Sequence, residues 1–466
     1  MTTNKTLTRP PKPTSPKVKQ PGFVALPKQA PISPTSARNR IETRPLPDKV
    51  VDVPNLPKLP QQSVAEGSDI QSFAPGFASG TVGGAASITE LARALKNDVD
   101  LIYQFVHDQV EFLPTYGSQK GALGALTDGM GNSFDLSDLM IQLLTTAGYT
   151  ANFQSGEIEL TQADVSAWLG TDSTDIFAAS NKLAEGGIAN TVYWTGSEYK
   201  IYLSHCWVKC TISGTDYHFD PAKKSYTDFA GINLATAMSY NQATFMSNAT
   251  SGATINADYV QNMNRGNIRG DLDTLTANLV AYLKANHLTA TTEEIIGGRR
   301  IVPASTTPLR QTALPYLKPA STPTTWASIP NAYKATLNVA YDTIDETFYS
   351  ADIHGKRLTL FFNVSHEAEL RLDGTLIATS SAQTPGSWNS VWLEVVHPYP
   401  TTFADEGHWQ TVFEGSSVLV CQAWGNGSPR MTEIHRVKQK EAENAGGSAT
   451  SEAVLGESLS VMWHQW

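Results

Sequence analysis

The chain has 466 residues, 41% hydrophobic and 17% charged, with a net charge of −10; that length supports two or three domains with cores of their own. The first 50 residues hold ten lysines and arginines against Glu42 and Asp48, so the remainder is strongly acidic, which argues against nucleic acid as the main partner. No apolar run nears the roughly 20 residues that cross a bilayer, and the opening MTTNKTLTRPPKP lacks the apolar stretch of a standard signal peptide.

Residues 1–84 form a regime of their own. Fourteen of the 26 prolines fall at or before Pro75, in phrases such as RPPKPTSPK and VPNLPKLP. Such a leader buries little and cannot build a helix or a central strand, so it is expected to be extended and polyproline-like unless a partner surface orders it. Its basic residues are read as a solvated tail.

Globular patterning starts near Ser87. Ile88, Leu91, Leu95, Ile102, Phe105, Val106 and Val110 fall on helical spacings, and Ser87 with Glu90 three residues on makes a capping box. A break near Asn97 and Asp98 splits this stretch into two helices. After turns at Gly121, Gly124, Gly129 and Gly131, a strong helix carries Leu136, Leu139, Met140, Leu143, Leu144 and Ala147 on one stripe, ended by Gly148.

Strands are expected next: YTANFQSGEIEL, then TVYWTG, EYKIYLSHCWVKCTI and DYHFDP, with turns at Gly196 and Gly214 and a small helix over residues 164–169. DLDTLTANLVAYLKANH reads as an amphipathic helix, and the Pro/Thr-rich residues 301–326 as a linker. From about Ala327, segments such as YKATLNVAY, RLTLFFNV and NSVWLEVVHPY alternate with the period of a half-buried sheet and predict an antiparallel β-sandwich over residues 327–466. Residues 441–457 read as a flexible loop, and the aromatic ending VMWHQW as buried. The chain is expected to be the leading part of a longer one.

Cys206, Cys210 and Cys421 offer neither a disulfide framework nor a metal spacing, and the first two are read as small buried hydrophobes. His218 and Asp220, even with His205 nearby, supply no fourth ligand, so no metal and no cofactor are expected.

Chemistry gathers at three positions. Ser133 opens the strong helix, among unpaired N–H groups at the positive end of its dipole, where oxyanion donors can be found. His205 lies within one predicted strand and Asp220 at the end of the next, so a hairpin turning at Gly214 can set the carboxylate beside the imidazole and fix its tautomer. Taken singly, a serine at a helix start is usually a cap, a strand histidine is usually structural, and Asp-Pro usually marks a turn.

Together, Gly131-Asn132-Ser133 followed by FDLSDLMIQLLTTAGY, then His205-Cys206-Trp207-Val208, then Phe219-Asp220-Pro221, resemble the transglutaminase-like superfamily, which has a papain-like fold. The resemblance implies an α+β fold: a papain-like core over residues 85–300, followed by the β-sandwich and preceded by the leader. It implies a catalytic triad in which His205 is the base, Asp220 the orienting acid and Ser133 occupies the position of the nucleophilic cysteine, with Asn132 and Trp207 against a bound substrate. The phrases KNDVDLIYQFVHDQVEF, ELTQADVSAWLG and FDPAKKSY are similar to the version of this domain found ahead of the repeats in large bacterial RHS/YD-repeat proteins, and LPYL, KRLTLFF and VVHPY to the β-rich segment that follows it there. That likeness implies a secreted or cell-surface setting, and protein or peptide partners that include the rest of an RHS-type chain.

A serine has no accessible alkoxide near neutral pH, whereas a cysteine in such a position becomes a thiolate. Three functions stay open on the sequence: a non-catalytic module with a structural or peptide-binding role; an active acyl-transfer or amide-cleaving enzyme; and a scaffold whose β-domain binds a partner or glycan through Trp392, Trp409 or Trp424.

Overall fold

Short helices open the described part of the chain because caps and turns fall where the sequence puts them. In the computed structural model, residues 87–304, 309–398, 406–416, 418–420 and 428–465 are described. The leader, Cys421 and Trp424 lie outside them. Helices α1 (Ile88–Ala94) and α2 (Val99–Gln109) are separated by Lys96 and Asn97, both at positive φ, and each is capped by a side chain, Ser87 for α1 and Asp98 for α2. Strand β1 (Glu111–Phe112) pairs in parallel with β2 (Met130–Gly131), and α3 (Gly121–Asp128) lies between them in sequence. Helix α4 (Ser133–Thr146) then runs through the core.

The first sheet is antiparallel throughout. Long strand β3 (Thr150–Thr161) pairs with β5 (Tyr199–Ile212) over its whole length, from Thr150 opposite Thr211 to Thr161 opposite Lys200. Between them come α5 (Gln162–Leu169), α6 (Ile176–Glu185) and β4 (Asn190–Trp194), and β4 pairs with the other edge of β5. Strand β6 (Thr215–Phe219) returns along β5 after a turn at Ser213 and Gly214, where φ is positive. Alternation along β5 sorts its side chains between two cores. Cys206, Val208 and Cys210 face α4 with Leu136, Leu139 and Leu143, while Ile201, Leu203 and Trp207 join Trp168, Leu169 and Leu183 on the opposite face.

Strand β7 (Tyr226–Phe229) finds its partner only after a long excursion. The chain passes through α7 (Leu234–Met238), α8 (Gln242–Ala249), the small hairpin β8 (Thr254–Ile255) and β9 (Val260–Gln261), α9 (Arg265–Asn286) and α10 (Thr292–Ile296), and then β10 (Gly298–Ile301) pairs with β7. Helix α9 buries no residue, so its apolar positions are only partly covered.

Residues 309–326, within the segment expected to link two domains, are built into the first sheet. Leu314 is buried beside Ile158 and Trp207, and β11 (Thr324–Trp326) pairs with β3. Prolines are tolerated here because the segment runs along the sheet's edge.

After a short 3₁₀ turn (Asn331–Tyr333), two four-stranded antiparallel sheets enclose a third core. One has the order β13 (Ile344–Tyr349), β12 (Thr336–Tyr341), β17 (Trp388–Val396), β18 (Glu406–Phe413). The other has the order β16 (Thr375–Ala382), β15 (Glu367–Leu372), β14 (Leu358–Phe362), β19 (Val418–Val420). Leu337, Val339 and Val391 from the first meet Leu358, Leu360 and Leu370 from the second. Asp373 and Gly374, both at positive φ, make the turn between β15 and β16.

A helix α11 (Ser350–Ile353) follows β13, and a helical hairpin closes the chain: α12 (Pro429–Asn444) and α13 (Glu452–Gln465). Most of residues 441–457 is therefore helical, and only the glycine-containing turn at 445–451 interrupts it. Met462, within the ending VMWHQW expected to be buried, is 56% exposed instead.

The architecture is α+β, and all described residues belong to one compact unit. The sandwich is tied to the first sheet's region by backbone bonds from Ser118 N to Tyr333 O (2.7 Å) and from Ala335 N to Ser118 O (3.0 Å). Ser428 Oγ also donates to Thr127 O at 3.0 Å. Among the described residues no helix is long and apolar enough to cross a membrane.

Candidate active site

The loop before α4 is shaped by its glycines. Gly129 adopts a left-handed conformation that ends α3, and a Cβ on Gly131 would lie 3.0 Å from Asp135 Cβ and 3.1 Å from Ala125 Cβ. Asn132, not Ser133, is the N-cap: its Oδ1 accepts from Phe134 N and Asp135 N, while Nδ2 donates to Gly117 O at 2.7 Å and to Thr115 Oγ1 at 3.2 Å. Ser133 is the first helical residue and is buried.

Asp135, in the same first turn, clamps the start of α3. Its Oδ1 accepts from the backbone N–H groups of Gln119, Lys120 and Gly121 at 2.9–3.0 Å, while Oδ2 is buried without a partner. Burial outweighs the three N–H donors and pushes this carboxyl up to about 6. The proton has an obvious seat on Oδ2.

His205 and Asp220 are brought together. Nε2 of the imidazole lies 2.8 Å from Asp220 Oδ2, at 2% and 3% exposure. Tyr316 Oη donates to the same oxygen at 2.8 Å, and Oδ1 accepts from Ala222 N and Lys223 N. Burial acts to raise the Asp220 carboxyl, but His205, Tyr316 and Lys223 N together hold it below its ordinary value. With Nε2–H directed at the carboxylate, the neutral ring has its Nδ1 lone pair as the remaining proton acceptor.

The Asp-Pro turn is anchored from beneath. Lys224 is fully buried, and its ammonium donates to Val106 O and His107 O, in the last turn of α2, and to Pro221 O at 2.8 Å. Burial pulls its pKa down to about 7. Trp168 Nε1 donates to Ala222 O at 3.0 Å, and its ring meets His205 edge-on at 5.8 Å. The Lys223 ammonium stands 5.9 Å from the rings of both Trp168 and Tyr316.

Ser133, Asn132 and Trp207 make no hydrogen bond to the His205–Asp220 pair among the described residues. Cys206, beside His205 in sequence, faces α4, and burial raises its thiol pKa far above the ordinary value. Asn132 and Trp207, expected against a bound substrate, are instead enclosed: Asn132 spends its amide on the cap and loop, and Trp207 Nε1 donates to His218 Nδ1 at 2.9 Å. Surface depressions of about 500 Å³ beside Phe229 and His287 and about 370 Å³ beside Gln162 and Trp194 include none of the three triad positions.

Tyr316, Trp168 and Lys224 escape sequence reasoning. Tyr316 lies 96 residues beyond Asp220 in a proline-rich stretch, and no spacing rule links the two. Lys224 was within reach, since a lysine four residues after the acid on an apolar turn has to find acceptors if it is buried. Comparison of the chain with family models, with curated proteins and with solved structures found no match.

Proposed function

We propose that the chain contains a degenerate, non-catalytic transglutaminase-like module with a papain-like core, serving as a structural or peptide-binding part of a larger RHS-type protein. The observation that carries this reading is the enclosure of the His205–Asp220 pair behind Tyr316 and Trp168, with Ser133 where a thiolate would be needed. Asp220 accepts from Tyr316 Oη and from the N–H groups of Ala222 and Lys223 and pairs with His205, so it acts as a buried polar bolt between β5, the turn after β6 and residues 309–326. Support for the family reading comes from the helix α4 packed on the antiparallel sheet and from the histidine on β5 with the acid directly after the adjoining strand β6.

A second reading, an acyl-transfer or amide-cleaving enzyme using a Ser133-His205-Asp220 triad, draws on the oriented imidazole with Nδ1 left as an acceptor. Incorporation of a fluorescent amine into a glutamine-bearing peptide separates the two. The native chain is expected to give no turnover above a His205→Ala control; turnover that disappears in that control overturns the non-catalytic reading.

A further inference from the structure

The sheet of β13, β12, β17 and β18 buries Leu337, Val339, Val391 and Val412, so residues of the other parity face outward. On β17 and β18 this outer face carries three successive cross-strand rungs: Trp388 opposite Phe413, Ser390 opposite Thr411, and Trp392 opposite Trp409. Both aromatic pairs have ring centroids 5.0 Å apart, and Trp388 and Trp409 are 71% and 63% exposed. The two aromatic rungs are four residues apart along each strand, about 14 Å, with a pair of hydroxyls between them. Large exposed aromatic area of this kind is unfavourable in water and marks a surface that is covered in use.

Gly407 shows that the arrangement is built. A Cβ there would lie 2.1 Å from the Trp392 ring, so the indole lies down on the sheet over the glycine instead of standing away from it. The face thus offers a tilted aromatic pair at each end, with Trp392 laid over Gly407, and hydroxyls between them.

Charge narrows the occupant. None of the outward strand residues of this sheet is lysine or arginine, and its charged members are Asp345 and Glu394. Lys334 stands 4.6 Å from the ring of the outward Tyr349 on β13, the strand farthest from β18, so the aromatic rungs of β17 and β18 themselves offer an anionic ligand, such as a nucleic acid or an acidic lipid surface, no strand lysine or arginine. A neutral polyhydroxyl ligand fits: sugar rings with equatorial hydroxyls present flat C–H faces to aromatic rings and hydroxyl edges to Ser390 and Thr411. We propose that this face binds a neutral β-linked glycan chain, with sugar rings stacked on the Trp388–Phe413 and Trp392–Trp409 rungs and hydrogen bonds to the Ser390–Thr411 rung. The proposal is independent of what happens at His205.

The test uses the full chain with cellohexaose, chitohexaose and xylohexaose as probes and decaproline as the peptide control, followed by tryptophan fluorescence and calorimetry. At least one saccharide is expected to bind. Trp388→Ala and Trp409→Ala should each weaken binding about tenfold, the loss of roughly one aromatic contact, with an unchanged far-ultraviolet circular dichroism spectrum. Gly407→Val should weaken it comparably by lifting the Trp392 indole. Failure of all three saccharides to bind overturns the proposal, as does binding indifferent to both tryptophan substitutions or confined to decaproline. A native dimer that Trp409→Ala converts to a monomer also overturns it, because a second copy then covers the face.

Discussion

Tyr316 and His205 share one oxygen of Asp220, each 2.8 Å from Oδ2. Tyr316→Phe removes a charge-assisted hydrogen bond inside the fold and should cost about 1–3 kcal/mol at pH 7. The Asp220 carboxyl is held below its ordinary 3.8, so its contribution is fully present above that value and is lost as pH falls through the lower folded one. The gap between native chain and variant should therefore narrow below pH 3.8. Urea titrations at pH 7 and pH 3 measure both effects; a gap of equal size at both would contradict the charge-assisted assignment.

Asp135 behaves oppositely. Its carboxyl is raised to about 6, so between 3.8 and 6 the folded chain holds a proton that the unfolded chain has lost. That contribution grows as pH is lowered from 7 toward 4. Asp135→Asn keeps an oxygen for the three N–H groups of the α3 start and should change stability at pH 7 by less than about 1 kcal/mol while removing this pH dependence. Asp135→Ala leaves three donors unmatched and should cost about 3 kcal/mol. Denaturant midpoints of the three chains from pH 7 to 4.5 check the pattern.

Lys224 makes stability rise with pH in another window. Its folded pKa of about 7 lies below the ordinary 10.5, so the folded state carries fewer protons than the unfolded one between these values. Thermal midpoints should reflect a favourable Lys224 contribution growing from pH 7 to 10, one that is absent in Lys224→Met. A native-minus-variant difference that stays flat across this range would show that the ammonium is not displaced from its ordinary titration.

One guanidinium joins both carboxylates of the C-terminal hairpin's second helix. Arg357 Nε lies 2.8 Å from Glu452 Oε1 and Nη1 lies 2.6 Å from Glu457 Oε1, while His435 Nδ1 reaches the other oxygen of Glu457. Arg357→Ala strands buried carboxylates and should cost about 3–5 kcal/mol. Faster proteolytic release of residues 429–465 at pH 7 is the accompanying readout, and unchanged cleavage kinetics would argue against the fastening.

Much of the first region was legible because its signals are local. The break at Asn97, the helix from Ser133, the long strand with His205 and the meeting of His205 with Asp220 all follow from caps, stripes, alternation and one glycine turn. The excursion between β7 and β10 was not legible as such, since two four-residue strands separated by 68 residues carry no pairing signal. Residues 309–326 look like a linker by composition, yet Leu314 and Tyr316 enter the core through contacts far apart in sequence. Residues 441–457 look like a loop by their charged, alanine- and glycine-rich composition, yet they join two helices held by tertiary contacts such as the Arg357 pairs and the burial of Met431 and Val454. At the site, Asn132 illustrates the same limit: the motif marks the position, but only packing reveals that its amide is already committed to the cap.

The reactivity of Ser133 bears most directly on the account. Intact-mass measurement after exposure to a fluorophosphonate reads the covalent label per chain, with Ser133→Ala and His205→Ala treated in parallel. Native chains are expected to carry no more label than either variant, because among the described residues the Ser133 hydroxyl makes no hydrogen bond to His205. Stoichiometric labelling of the native chain that both substitutions abolish would mean a working nucleophile and would contradict it.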